Sequence, residues 1–309
     1  MDLNPDVLDK LQLLEEKYAA MGQNMPAYLD GLLHADYLTY WDYIHLDTLL
    51  SLQNPRTPIP DERIFIMYHQ ITELYFRLIL DALDQIALHE PEHAFFTRQL
   101  TRINRYFLHL INSFDIMVDG MDRDEFLKFR MSLLPASGFQ SVQYRLIELG
   151  STELINLVHG TQRAELEQSG TIADCCNALY WRWGATELAT GKKTLTLRQF
   201  ETKYADIVLR YAESRIGTNL YAVYKKLPEA AQNDPETKEL MRDYDLNANV
   251  RWALSHYRSA VRYLDAKPRE IEATGGTNWQ QYLPPRFQKV HFFPELWSES
   301  EKENWGRFQ

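Results

Sequence analysis

Cysteine, glycine and positive charge are all scarce in this chain. Of 309 residues only two are cysteine, Cys175 and Cys176. Adjacent thiols cannot close an ordinary disulfide loop, and two of them fall short of a four-cysteine zinc site. Thirteen glycines and thirteen prolines are too few for a sandwich or barrel, whose short strands need a turn about every 8–12 residues. Lysine and arginine number 33 against 43 aspartates and glutamates, a net charge of -10. A surface that neutralises a phosphate backbone is not expected from that balance, so nucleic acid drops out as a partner. No run of roughly 18 apolar residues is present to cross a bilayer. The opening Met1-Asp2-Leu3-Asn4-Pro5-Asp6 carries two acids where a secretory leader would be basic. The expectation is a cytoplasmic protein with no membrane partner. Missing too are His-Glu-x-x-His, Cys-x-x-Cys-His, Gly-x-Ser-x-Gly, a Walker loop and Gly-x-Gly-x-x-Gly, and with them the usual supports for zinc protease, covalent haem, hydrolase and nucleotide chemistry. A di-iron bundle needs two Glu-x-x-His motifs; the one here, Glu90 to His93, is broken by Pro91.

What the chain does hold is core material in helical rhythm. It is 45% hydrophobic, with 7 Trp, 18 Tyr and 14 Phe, which excludes disorder as its main state. From Asp61 to Leu88, apolar residues recur near the 3.6-residue period at Ile64, Phe65, Met67, Ile71, Leu74, Leu78, Ala82 and Ile86. A second helix is predicted from Pro91 to about Val118, packing antiparallel to the first across a short turn. Further helices fit Val7–Met21, Tyr40–Leu52, Arg123–Leu133, Phe139–Leu149, Ala173–Ala185, Leu197–Tyr211 and Asn247–Leu264. Pro55, Pro58 and Pro60 keep residues 53–60 extended. Residues 227–235 read as a polar connector, and the charged tail after Trp297 reads as a surface segment. The fold class is all-α, in one domain over 1–309, with the N-terminal segment 1–52 reaching a neighbouring subunit.

Two histidines stand out on these helices. His69 sits in the most apolar one and forms an i, i+4, i+8 stripe with Glu73 and Arg77. Either Glu73 satisfies a buried histidine, or the imidazole is the single polar group of a dry pocket. His256 lies beside the stripe Val250, Ala253, Leu254, Tyr257, Ala260, Val261, one turn from Trp252 and Ser259. Small neighbours leave room over its ring, and Arg251, Arg258 and Arg262 offer charge for the carboxylates of a large planar cofactor or form a solvated face. Ser137 to Gln140 matches a Ser-x-x-Gln capping box, whose helix start would face the preceding loop after Arg130. Thr274-Gly275-Gly276-Thr277 is a short loop whose backbone amides could approach an anion.

In order along the chain, these pieces resemble the haem-dependent tryptophan 2,3-dioxygenase family. The matching stretches are residues 38–50, Phe65 through Leu74, Phe129-Arg130, Ser137 through Arg145, Arg251 to His256, Thr274-Gly275-Gly276 and Phe292-Phe293-Pro294-Glu295-Leu296. Between Gly150 and Asp245 the resemblance is one of length and helical character alone. It implies a helical bundle around a haem pocket, a homotetramer with one non-covalent haem b (Fe) per chain, and opening of the indole ring of L-tryptophan by dioxygen to N-formylkynurenine, the first step of the kynurenine pathway of tryptophan catabolism. Carried over residue by residue, it makes His256 the proximal iron ligand and His69 the distal residue that meets the indole N–H. Phe65 would wall the indole and Arg130 would hold the substrate carboxylate. Thr274 would meet the amino-acid end, and Ser137 would lie near the haem edge. Tyr144 and Trp252 would line or back the cofactor, and Tyr40, Tyr43 and Ile44 would close the pocket from a neighbouring subunit.

The chain also departs from that pattern. Phe126 stands where the family commonly has a tyrosine that helps hold the carboxylate. The segment from Asp265 to Ala273 is longer than usual and includes Pro268, and Thr277-Asn278 follow the Gly-Gly pair where a serine pair is usual. Both changes fall on the amino-acid end of the pocket. They leave room for a relative that oxygenates a modified tryptophan or another indole in a biosynthetic pathway, including as a monooxygenase. A non-enzymatic haem or indole binder, and a helical protein that has lost haem, are the readings from other classes.

Overall fold

The structure is a computed structural model that describes residues 4–35, 38–186, 192–266, 269–270 and 284–307. It is all-α. Among the described residues the one strand pairing is a two-residue antiparallel contact of Asp265–Ala266 with Arg269–Glu270. The chain forms two compact units, residues 1–54 and 55–309.

The first unit holds helices α1 (Pro5–Ala20), α2 (Met25–Leu33), α3 (Tyr40–Tyr43) and α4 (Leu46–Leu50). Asn4 and Asn24 cap the first two through their side-chain oxygens, each just before a proline-containing first turn. The single helix expected over 40–52 is split because His45 adopts a left-handed backbone, φ 51°. α2 lies outside the predicted set. Among the described residues of this unit only Met25 is buried, while Leu33 is 81% exposed.

The second unit is built on α5 (Asp61–Leu88) and α6 (His93–Asn112), which pack against each other as predicted. Asp61 and Glu62 place acids at the positive end of α5. α6 stops short of Val118: the Ser113 hydroxyl donates to the Leu110 carbonyl, and the chain re-enters as α7 (Asp115–Val118). α8 (Arg123–Phe129) tightens into a 3₁₀ turn over Arg130–Leu133. The Ser137–Gln140 capping box is present, but it opens a 3₁₀ turn, Gly138–Gln140, and Ser141 caps the helix α9 (Val142–Ser151) that follows.

After a 3₁₀ turn come α10 (Gly160–Ser169), α11 (Ile172–Asn177), α12 (Tyr180–Gly184), α13 (Leu195–Ser214), α14 (Leu220–Lys226), α15 (Glu229–Gln232) and α16 (Pro235–Leu246). The stretch expected as a helix over 173–185 is two short ones, and the polar connector contains α15. Residues 247–251 form a π turn that leads into α17 (Trp252–Leu264). The chain closes with α18 (Pro285–Gln288) and α19 (Glu299–Glu303). The tail is not a bare surface segment: Ser298 and Glu301 form a capping box, and Trp305 is buried against Trp297 and His291.

The main core runs between α5, α6, α9, α13, α14 and α16, and Phe292 and Phe293 fill it from the C-terminal side. A second, aromatic cluster of Tyr68, Phe114, Met117, Met121, Phe129 and Tyr263 has Phe65, Phe126 and Trp252 on its edge. No helix among the described residues is long and apolar enough to cross a membrane.

Glu62 anchors the extended segment to α5. It is buried, and its carboxylate accepts from the Arg56 amide (2.8 Å), the Thr57 amide (2.7 Å) and the Thr57 hydroxyl (2.6 Å). Burial works against its ionisation, but these donors outweigh it and hold the carboxyl below its ordinary value of 4.5. The carboxylate therefore adds stability above that pH, which is lost as pH falls through the lowered value. In urea unfolding at pH 7, Glu62→Gln should cost about 1.5–3 kcal/mol, and the difference should shrink below pH 4.5.

Candidate functional site

α5 presents Phe65, Tyr68 and His69 to the aromatic cluster. The Phe65 and His69 rings lie 4.1 Å apart between centroids, and Tyr68 meets His69 edge-on at 5.7 Å. His69 Nδ1 lies 2.7 Å from the Phe65 carbonyl. A carbonyl can only accept, so Nδ1 carries the proton and Nε2 keeps its lone pair. Burial lowers the His69 pKa against the pull of that carbonyl and of Glu73, so the ring is held neutral. Glu73 does not bond the ring, contrary to the simplest reading of the stripe. Gln143 on α9 donates to both its carbonyl (2.9 Å) and its carboxylate (2.8 Å), while Arg77 pairs with Asp81.

His256 comes from α17. Burial, and then electrostatic coupling to the His69 imidazole, push its pKa down to about 4. The residue is nonetheless solvent-accessible, unlike its neighbours Ser255 and Ser259. No described residue hydrogen-bonds either ring nitrogen. Phe114 lies nearly parallel to it, centroids 5.9 Å apart and planes at 26°, and also touches Trp252 (4.6 Å) and Tyr68 (5.5 Å). Gly138 lies beside the ring: a Cβ built there would sit 3.9 Å from His256 Cε1. Ser137, whose oxygen caps the Phe139 amide at 3.4 Å, precedes it.

Phe126 edges the same aromatic cluster, and Arg130 follows one helical turn later in the chain. Phe126 lies 6.1 Å from Phe65 and 4.7 Å from Tyr263. Arg130 is buried, and burial lowers its pKa. Tyr144 stands behind the site rather than in it: its hydroxyl donates to the Ala248 carbonyl (3.0 Å) and its ring meets Phe76 at 5.4 Å. Trp252 fills the step between the two cores. Of the expected basic cluster, Arg251 bonds Asn247 (2.8 Å) and Asp243 (3.4 Å), and Arg262 donates to the Val118 carbonyl.

Tyr40 and Tyr43 lie in the first unit, 69% and 73% exposed, with Ile44 half-buried. Thr274 lies outside the described residues. The structure therefore brings Phe65, His69, Phe126, Trp252 and His256 into one aromatic neighbourhood, with Ser137 beside His256 across Gly138. Phe114 and Gly138 join this neighbourhood without a motif of their own; the sequence signal for Gly138 is a glycine directly after a capping serine. A separate surface depression of about 430 Å³, on α10 and α11 and lined by residues including Gln162, Glu165 and Asp174, has no imidazole or aromatic ring in its wall.

Comparison with known proteins bears on the family. A sequence model described as tryptophan 2,3-dioxygenase matches residues 32–160, the span that holds Phe65, His69, Phe126, Arg130, Ser137 and Tyr144. The tryptophan 2,3-dioxygenase of Ruegeria sp. (strain TM1040) is 31% identical over 278 residues, covering 85% of this chain and 92% of that protein. The chain belongs to the tryptophan 2,3-dioxygenase family. It is thereby placed among the oxidoreductases. The family members of Bradyrhizobium diazoefficiens and Bacillus anthracis are 31% and 29% identical, covering 84% and 91% of this chain and 91% and 100% of those proteins. Trp252 and His256 lie beyond the family-model match but within the length these relatives cover.

Behind the site, an ion pair within α9 ties that helix to α12 through Tyr180 and Trp181. Arg145 bonds Glu148 at 3.0 and 3.1 Å, Tyr180 donates its hydroxyl to the same carboxylate, and the guanidinium lies over the rings of Phe139, Tyr144 and Trp181. Glu148 is 1% exposed. Arg145→Met leaves that carboxylate uncompensated and should cost about 3–5 kcal/mol in urea unfolding. Arg145→Met/Glu148→Leu should lose less than the single change; an equal loss would show that the pair is not what holds the helix.

Proposed function

We propose that this chain is a haem-dependent dioxygenase that opens the indole ring of L-tryptophan to N-formylkynurenine. The observation that carries the reading is a pair of imidazoles linked through the Tyr68 and Phe114 rings and close enough to interact electrostatically, His256 with no hydrogen bond on its ring and His69 with its tautomer fixed. The residues fit haem. Among the described residues no group of three histidine, cysteine or acidic side chains could hold a metal ion, so a lone imidazole retains iron only if the remaining ligands come with the cofactor, as in a porphyrin. Gly138 and the flat Phe114 ring leave a planar group room beside His256.

When bound, haem supplies the dioxygen chemistry that no side chain here offers. His256, neutral at physiological pH, would hold the haem iron through a ring nitrogen. His69 Nε2 accepts the indole N–H, because Nδ1 already donates to Phe65. Phe65 walls the indole, and the Phe65, Phe126 and Phe129 rings keep water from it. Arg130 offers its planar fork to the substrate carboxylate. Ser137 stands at the cofactor edge, with Tyr144 and Trp252 behind it. Thr274 is proposed for the amino-acid end. Both oxygen atoms of dioxygen end in the product and no outside reductant is consumed, in keeping with the absence of nicotinamide and flavin motifs.

A homotetramer belongs to the same proposal, with Tyr40, Tyr43 and Ile44 of a neighbouring copy closing the pocket and the whole chain acting as one domain. Its support is unpaired apolar surface: Leu32, Leu33, Tyr40 and Tyr43 in the first unit, and the stripe Met67, Ile71, Leu74, Leu78 along α5. Two free buried thiols, Cys175 and Cys176, suit a cytoplasmic setting.

Phe126 favours one further reading, a relative that acts on a modified tryptophan or other indole, including as a monooxygenase. It brings no hydroxyl to the Arg130 end, and the hydroxyl of its neighbour Tyr263 is spent on the Met117 and Met121 carbonyls. Turnover of reduced, haem-loaded protein with L-tryptophan and dioxygen, read by mass spectrometry, separates the two. N-formylkynurenine is the expected product; oxygen uptake only with a substituted indole would favour the relative, and bound haem with no oxygen uptake would leave a binder. His256→Ala should abolish the Soret band, whereas His69→Ala should keep it and lower turnover by about 10²–10⁴ if the imidazole handles the indole proton. A normal haem spectrum in His256→Ala would overturn the ligand assignment.

A further inference from the structure

Asp245 has no part in the site as described, yet it is wholly buried and saturated with donors. Its Oδ1 accepts from Asn249 Nδ2 (2.7 Å) and the Phe292 amide (3.0 Å), and its Oδ2 from the Phe293 amide (3.2 Å) and the Trp297 indole N–H (2.8 Å). These donors come from two places. Asn249 belongs to the π turn, and the other three belong to the C-terminal segment that seals the main core.

The π turn decides which way α17 faces. Within it the Trp252 amide reaches back five residues to the Asn247 carbonyl, so the helix carries one residue more than a plain α turn needs. Each helical residue advances about 100°, and α17 is rotated by about that angle from a direct continuation of α16. Were the turn to relax to plain α, Ser255 would come round toward the place that His256 now takes. Such a turn forfeits regular hydrogen bonds and persists only when its neighbours fix it. Here Asn247 Nδ2 donates to Asn104 on α6 (3.0 Å), the Tyr144 hydroxyl donates to the Ala248 carbonyl (3.0 Å), and Asn249 is tied to Asp245.

We infer that Asp245 is a positioning residue: its carboxylate clasps Asn249 to the C-terminal segment, fixes the π turn, and so sets the rotation at which His256 enters the site. The effect on His256 as iron ligand rests on the function proposed above, whereas the clasp on the π turn does not. Burial pushes the Asp245 carboxyl up to about 6, against the pull of its donors. A carboxylate is kept there despite that opposition because four donors need acceptors at once.

Two variants separate positioning from simple glue. Asp245→Asn turns an acceptor into a donor facing donors, and Asn249→Ala cuts only the turn side, leaving the other three bonds in place. In haem-free protein, well below the unfolding temperature, both should speed amide hydrogen exchange over residues 247–256 by about tenfold. In haem-loaded protein both should weaken haem binding by about tenfold and shift the iron–histidine stretching band. Should Asn249→Ala exchange and bind haem like the unaltered chain while Asp245→Asn merely lowers Tm, Asp245 is glue for the C-terminal segment and the inference falls. Should the unaltered chain bind no haem, the proposed function fails, and the exchange measurement still decides the clasp.

Discussion

Desolvation of two imidazoles in one aromatic hollow is the constraint on which the rest of this structure turns. A proton on His69 raises the cost of a proton on His256, and burial raises it for both. Both shifts favour the neutral ring near neutral pH, which leaves each imidazole a lone pair. At His69 the Phe65 carbonyl, one turn back on the same helix, decides which nitrogen keeps that pair. At His256 the choice is left open to a ligand. An apolar wall would be inert without these groups, and a charged pair could not bind a metal on one side and accept an N–H on the other.

Holding two rings in such a relation is a problem of helix placement. α5 is fixed at its start by the Glu62 clamp on Arg56 and Thr57, and at mid-length by Gln143, which takes up Glu73 and keeps that carboxylate off His69. α9, which supplies Gln143, is tied to α12 by the Tyr180 hydroxyl on Glu148, whose charge Arg145 balances. α17 takes its rotation from the π turn. Several polar groups near the site, Glu73, Gln143, Tyr144 and Arg251, are thus bound within the protein, and the imidazole that faces the aromatic cluster from α5 is His69. That economy suits chemistry in which the cofactor reacts and the protein orients the substrate and excludes water.

Much of this was legible in the sequence, for identifiable reasons. α5 was bounded correctly because its apolar rhythm is long and Pro60 and the Glu90-Pro91 step frame it. His69 and His256 were legible as polar interruptions of apolar faces, and Phe126 as a ring without the expected hydroxyl. The π turn was not, since periodicity reads a five-residue turn as ordinary helix; Asp245, Asn247 and Asn249, acceptors and amides crowded before an apolar stretch, were its trace. Helices 160–169 and 235–246 were missed because their apolar faces are short and caps such as Asp234 carry the signal. The break at His45 depends on a left-handed residue that composition does not mark. Phe114 carries no mark in the sequence, because only the fold shows that it meets Tyr68, Trp252 and His256 together.

The central claim is that one hollow between α5 and α17 takes iron on the His256 side and an indole on the His69 side. A crystal structure of the haem-loaded protein with L-tryptophan added without oxygen, with iron located by its anomalous scattering, tests this most directly. The account predicts iron bonded to a ring nitrogen of His256, the indole N–H on His69 Nε2 and the carboxylate on Arg130. Iron held by any other residue, or an indole bound away from His69, would contradict it.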